Sequence, residues 1–100
     1  MSKPYYADYV NHILRFYFRY NCVKGFKNDI DKANYLAADK VVRGLSEADR
    51  QKLRIVFSLD NVNVADNVLV VAREAHIDAK CLWSLVSTTT TKIAKERKLL

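Results

Sequence analysis

The stretch from Val68 to Leu85, VLVVAREAHIDAKCLWSL, decides the predicted fold because it has the pattern of two short helices joined by a tight turn. A helix-turn-helix packs its helices at a steep angle, which requires a small residue in the first helix and apolar residues around the turn. These positions are filled by Val71, Ala72, Ala75, Ile77, Leu82 and Leu85. The stretch therefore predicts a helix-turn-helix, and the alternative is a generic helical hairpin with Ala and Leu at the same places.

One position of the turn departs from the usual pattern. The turn commonly has Gly where this chain has His76, because the backbone there often takes a positive φ. His is among the residues that tolerate such a φ, so the departure weakens the match without breaking it. Asp78 is predicted to cap the second helix, whose positive N-terminal end then faces outward, where a phosphate fits.

The composition extends the helical prediction to the whole chain. Half of the 100 residues are apolar, with two Gly and one Pro, which favours an all-α fold over a sandwich of short strands. No repeat or linker divides the chain, so we expect a single five-helix domain over residues 1–100. Within it, residues 1–44 form an aromatic N-terminal helical part and residues 45–100 form the helix-turn-helix part.

The first predicted helix, which runs from Tyr5 to Tyr20, is rich in aromatic and apolar residues. Its polar stripe is narrow and consists of Asp8, His12, Arg15 and Arg19. The apolar arc is therefore wider than a surface helix needs. Two interpretations are open: a central helix covered on two sides by its own domain, or a helix whose aromatic side chains form a partner or dimer surface.

The other helices are predicted from their ends. The expected caps are Asp29 or Asp31 for the second helix, Ser46 for the third, Asn63 for the fourth and Asp78 for the fifth. Gly44 is expected to end the second helix, and the third runs to about Leu59. The core residues expected from the third helix are Leu53, Val56 and Phe57. The fourth helix covers residues 64–76, and the fifth extends to Arg97 through four threonines, although β-branched residues disfavour a helix.

Beyond the central stretch, the chain from Leu45 to Leu100 resembles region 4 of sigma-70-type factors and the small sigma-like proteins of phages and mobile elements. The residues that match the opening and the ending of that pattern are Leu45, Ser46, Arg50, Lys92, Ala94 and Arg97. The resemblance implies a sigma region 4-like fold, binding of double-stranded DNA, a role in transcription regulation and RNA polymerase as a partner. The aromatic N-terminal helix belongs to no sigma pattern.

The charge balance favours a phosphate polymer or an anionic surface as a partner without identifying either, since 17 Lys and Arg exceed 11 Asp and Glu and give a formal charge of +6. The expected DNA-binding residues are Asp78, Lys80, Trp83, Ser84, Ser87, Arg73, Lys92 and Lys95. The positions expected to face a major groove are Asp78, Ala79, Lys80, Trp83, Ser84 and Ser87, and of these only Lys80 is of a type that contacts bases bidentately. Most contacts are therefore expected at phosphates, with Arg50 as a further candidate. Trp83 has an alternative place in the core.

The residue pattern predicts no catalytic site, metal or cofactor. Cys22 and Cys81 are far apart and are expected to be reduced, with Cys81 buried, and His12 and His76 match no metal-ligand spacing. Polar residues interrupt the apolar stretch near the N-terminus, and no segment has the apolar length of a membrane span, so we expect a cytoplasmic protein. The alternative function is a protein-interaction module, in which the same helices bind a partner or, through the aromatic N-terminal helix, a second copy.

Overall fold

The computed structural model of the chain describes residues 5–20 and 25–99, and these residues form five α-helices and no strand. The helices are α1 (Ala7–Arg19), α2 (Asp29–Arg43), α3 (Glu47–Ser58), α4 (Val64–Ala75) and α5 (Ala79–Glu96). The expectation of an all-α, five-helix domain is therefore confirmed for these residues. The expectation for Cys22 lies outside the described residues.

Local side-chain caps explain where most of the helices begin. Ser46, Asn63 and Asp78 each accept a hydrogen bond from an amide in the first turn of α3, α4 and α5, as predicted. The cap predicted for α2 was wrong. Asn28 takes that role, because its Oδ1 accepts from the amide of Asp31 at 2.8 Å. Asp29 and Asp31 lie instead in the first turn, where the helix dipole favours acidic side chains.

The threonine run does not interrupt α5, which continues to Glu96, one residue short of the predicted end. Thr89 and Thr90 are buried, and their hydroxyls donate to the carbonyls of Leu85 at 2.7 Å and Ser87 at 2.9 Å. The hydroxyls are satisfied within the helix while the methyl groups join the interior. Tertiary burial therefore outweighs the weak helix propensity of threonine here.

One hydrophobic core receives side chains from all five helices. Its largest fully buried members include Phe57, Ile13, Leu14, Leu53, Leu82 and Ile93. Helix α1 packs against α2, α3 and α5, and α2 also packs against α5. The described residues of 1–44 and 45–100 thus share one interior. This packing agrees with the interpretation of α1 as a helix covered by its own domain.

The arginines of the α1 polar stripe bind the backbone that follows α3. Arg15 donates to the carbonyls of Asp60 at 3.1 Å and Asn61 at 3.3 Å. Arg19 donates to the carbonyls of Ser58 and Leu59 at 3.1 and 3.2 Å. Two cations of the chain are therefore used to hold the α3–α4 connection against α1, because the last carbonyls of a helix need partners from outside it.

Two expectations about burial were wrong. Ala75 is exposed, because it lies in the last turn of α4 where the chain turns away, and Ile77 packs against the core from the connection that follows. Cys81 is exposed as a free thiol. It lines a cleft between α3 and α5 together with Asp49 and Lys52, rather than lying inside the core.

Candidate nucleic-acid interface

The connection between α4 and α5 is only three residues long, 76–78, and turns the chain sharply. His76 has φ of 56° and ψ of 42°, which is the left-handed conformation that the sequence predicted at this position. The amide of Ile77 donates to the carbonyl of Ala72 at 3.0 Å, and the amide of His76 donates to the carbonyl of Arg73 at 3.3 Å. These bonds form a Schellman-type ending that fixes the path into α5.

The side chain of Asp78 caps α5 by accepting from the amide of Lys80 at 2.8 Å. One face of α5 is buried through Leu82, Val86 and Ile93, so the opposite face is left to solvent. The exposed residues on α5 up to its last turn are Lys80, Cys81, Trp83, Ser84, Ser87, Thr88, Lys92 and Lys95. The helix therefore presents one continuous polar surface with a single large aromatic ring.

All eight residues expected to bind DNA are exposed: Asp78, Lys80, Trp83, Ser84, Ser87, Arg73, Lys92 and Lys95. Seven belong to α5 or its cap, and Arg73 lies on α4. The alternative of a core position for Trp83 was wrong, since this side chain is 45% exposed. Trp83 follows the buried Leu82 by one residue, and a turn of about 100° per residue takes it out of the core-facing side.

Four of these side chains follow one line along α5. Lys80, Ser84, Ser87 and Lys95 are separated by four, three and eight residues, which places them on the same side of a helix. At a rise of 1.5 Å per residue, the two lysines lie about 22 Å apart along the helix axis. Lys92 lies at the edge of this line. Cations near both ends therefore flank a stretch of hydroxyl groups.

The exposed face of α5 carries positive charge, and the nearest acidic residues along the chain, Asp78 and Glu96, lie at its two ends. No acidic residue occurs from Ala79 to Lys95. Glu96, at the end of the helix, pairs with Lys40 of α2 at 3.2 Å. Among residues 5–20 and 25–99, no carboxylate lies within ion-pair distance of the three exposed lysines, Lys80, Lys92 and Lys95. This face suits a polyanion.

Arg50, the further candidate for a phosphate contact, does not lie on the outer face of α5. It lies on the side of α3 that faces α1 and α2, in a cleft with Tyr17 and Phe18. The opposite side of α3 brings Lys52 close to the start of α5 instead. Lys52 was missed because nothing in its local sequence tells which side of α3 meets α5.

In the part of the chain that the structure describes, no group of three or more His, Cys, Asp or Glu residues is arranged to hold a metal ion. None of the described helices combines the length and apolar character required of a membrane span.

No protein-family model, curated protein or solved structure matches the chain. The resemblance to sigma region 4 therefore stays a prediction from the residue pattern alone.

Proposed function

We propose that this protein binds double-stranded DNA through the exposed face of α5, with α4 and α5 acting as a helix-turn-helix of the sigma region 4 kind in transcription regulation. The observation that carries the proposal is the acid-free outer face of α5, whose lysines have no acidic partner among the described residues. A duplex offers a dense row of phosphates to such a face, and its major groove admits one helix.

The side chains on this face favour contacts with phosphates over base recognition. Lys80 lies at the start of α5, and Lys92 and Lys95 lie near its end, so a helix in the groove meets both flanking backbones. Ser84 and Ser87 can donate to either bases or phosphates, and they discriminate poorly. The expected affinity is therefore mainly electrostatic, with modest preference among sequences.

Contacts at the far end of α5 hold the helix in place for such binding. Arg97 donates through Nε to Asn34 Oδ1 at 2.7 Å, and Lys40 pairs with Glu96 at 3.2 Å. Both contacts join α5 to α2. Because the buried face and this end of α5 are fixed, its outer face is already ordered before a ligand arrives, which lowers the entropic cost of binding.

A salt titration of duplex binding tests the proposal. Anisotropy of a labelled duplex is measured at several salt concentrations for the wild type and for the double variant Lys80→Gln, Lys95→Gln. Removal of one lysine–phosphate pair lowers the slope of log affinity against log salt by about one, so we expect a decrease of about two. Lys32→Gln removes an exposed lysine from α2 and serves as the matched control.

Two results would contradict DNA binding by α5. One is the absence of binding by the wild type even at low salt. The other is a loss of affinity in Lys32→Gln that is half as large as in the double variant or larger, because a general charge effect scales with the number of lysines removed and does not need the α5 face.

The alternative function, a protein-interaction module, is favoured by adjacent apolar side chains on the outside of α4. Leu69 is 56% exposed and Val70 is 47% exposed. On α1, most aromatic side chains are half-buried, although Tyr5, two residues before the helix, is 80% exposed. Sedimentation velocity over a wide concentration range tests self-association. A concentration-dependent dimer supports it, and a monomer at every concentration counts against it.

A further inference from the structure

A second surface feature lies away from the outer face of α5, where α1, α2 and α3 meet. It is a cleft of about 360 Å³. The residues that line it and carry the argument are Tyr17, Phe18, Tyr20, Tyr35, Arg50 and Arg54. Aromatic rings and arginines thus share one concave site. Its volume is at the lower end of the range for small-molecule pockets, about 300 to 1,000 Å³, which excludes large ligands.

The aromatic side of the cleft is already assembled. The ring centroid of Tyr35 lies 4.9 Å from that of Tyr17 and 4.6 Å from that of Tyr20. The Tyr17 hydroxyl donates to Asp39 Oδ1 at 2.7 Å, and Asp39 also pairs with Arg43 at 2.9 Å. These contacts hold the rings in place. Phe26 stacks on Tyr20 with ring centroids 4.8 Å apart, so a planar ligand packs on the parts of the aromatic rings that remain in the cleft lining.

The charged side of the cleft contains a hydrogen-bond donor for which the described part of the chain supplies no acceptor. Arg50 and Arg54 are one helical turn apart on α3, and both line the cleft. The Nε of Arg50 is buried and has no hydrogen-bond acceptor among the described residues. An arginine stays charged, and a buried donor without a partner is unfavourable. Glu47 is the acidic residue of the lining, so two cations face one anion.

We infer that this cleft binds a small aromatic anion, a planar ring that carries a phosphate or carboxylate group. The ring packs on the tyrosines, and the oxyanion accepts hydrogen bonds from Arg50 and Arg54. The planar guanidinium groups of Arg50 and Arg54, which both line the cleft, match the two oxygens of such a group. Since the cleft lies on the opposite side of α3 from α5, this site is separate from the proposed DNA surface.

Titration of ¹⁵N-labelled protein tests the site by following the Arg50 Nε–H signal. Adenosine 5′-monophosphate and indole-3-acetate probe ring phosphates and ring carboxylates. Adenosine, which has the ring without the anionic group, and inorganic phosphate, which has the anionic group without the ring, are the controls. We expect at least one ring anion to shift the signal and to bind at least about tenfold more tightly than either half, as one charge-assisted hydrogen bond or one ring contact allows.

Three variants on α3 separate binding from folding. Arg50→Met and Arg54→Met keep most of the aliphatic stem and remove the charge, and each is expected to weaken binding about tenfold or more. Lys52→Met makes the same change on the other side of the helix and leaves binding unchanged. Arg50→Met is also expected to leave the melting temperature equal or higher, because a buried donor without a partner is removed.

Several results overturn the inference. They are the failure of both ring anions to bind, equal binding by adenosine or by phosphate alone, and binding by a folded Arg50→Met variant at wild-type affinity. If Arg50→Met does not fold, Arg54→Met gives the same comparison at an exposed side chain. Wild-type binding by Arg54→Met then overturns the site.

Discussion

His76 ends α4 in the left-handed backbone conformation, with φ of 56° and ψ of 42°, and its side chain is exposed. A residue with a Cβ atom is strained there by about 1 kcal/mol relative to glycine. We therefore expect His76→Gly to raise the free energy of unfolding by about 0.5 to 1 kcal/mol. Urea denaturation measures the change. His76→Ala is the control, and equal stability of the Gly and Ala variants would contradict this account of the turn.

Tyr17 links α1 to α2 through the hydrogen bond from its hydroxyl to Asp39. Burial, then this bond and the charge of Asp39, raise the pKa of Tyr17 above its ordinary value of 10.0. Because the unfolded chain releases this proton first, the contribution to stability is complete below pH 10 and is lost as the pH rises further. It is therefore constant through the neutral range.

We expect Tyr17→Phe to lower the free energy of unfolding by about 1 kcal/mol near neutral pH, because one hydrogen bond is removed. The difference from the wild type should narrow above pH 10, where only the wild type has a tyrosine to ionise at this position. Urea unfolding on both sides of this pH measures both effects. A difference that stays constant with pH would show that the hydroxyl is not held as described.

At the scale of the helices, two adjacent threonines of α5 allow the effect of helix propensity on stability to be measured separately from the effect of burial. Thr88 is exposed, whereas Thr89 is 0% exposed. We expect Thr88→Ala to stabilise the protein by about 0.5 kcal/mol, because alanine is the better helix former. Thr89→Ala should destabilise it by about 1 kcal/mol, because it removes a methyl group packed in the core. Thermal unfolding measures the melting temperature of each variant relative to the wild type. Changes of the same sign in both variants would contradict the exposed position of Thr88 and the buried position of Thr89.

The helix ends show which features of the fold are determined by residues close together in the sequence. Ser46, Asn63 and Asp78 cap helices as predicted, because a cap depends on residues only two or three positions away. Asn28 was missed because Asp29 and Asp31 have equally good capping side chains, and only the backbone path chooses among them. Sequence pattern therefore predicts the number of helices and most of their starts.

The side chains of the candidate site show which features of the fold depend on tertiary packing and not only on neighbouring residues in the sequence. Lys80, Ser84 and Ser87 were predicted to lie outward from their spacing, and they do. Trp83 had two interpretations, because periodicity alone does not fix which edge of α5 other helices cover. The sequence likewise does not tell on which side of α3 Arg50 lies, and the structure places it toward α1 and α2. Rotation of a helix about its own axis is set by tertiary packing, and the single sequence constrains it weakly.

For the whole molecule, the formal charge of +6 comes from cations in two kinds of environment: some have partners within the protein, and others are exposed to solvent without one among the residues that the structure describes. Arg15 and Arg19 bind backbone carbonyls of the α3–α4 connection, and Arg97 binds Asn34. Arg43 pairs with Asp39. These arginines hold the fold together, whereas the lysines of α5 extend into solvent. Lys80, Lys92 and Lys95 on α5 therefore remain for a partner, as do the exposed cations Lys27, Lys32, Arg54 and Arg73 elsewhere on the described surface.

In the proposed function α5 is the surface that meets a duplex, and amide chemical shifts test this residue by residue. The ¹⁵N-labelled protein is titrated with duplex DNA at low salt, and the signal of each residue is followed. We expect the largest shifts in residues 76–88 and at Lys92 and Lys95, with small shifts on α2 around Lys32. Shifts centred on α1 and α2, or no shifts at any DNA concentration, would contradict the claim.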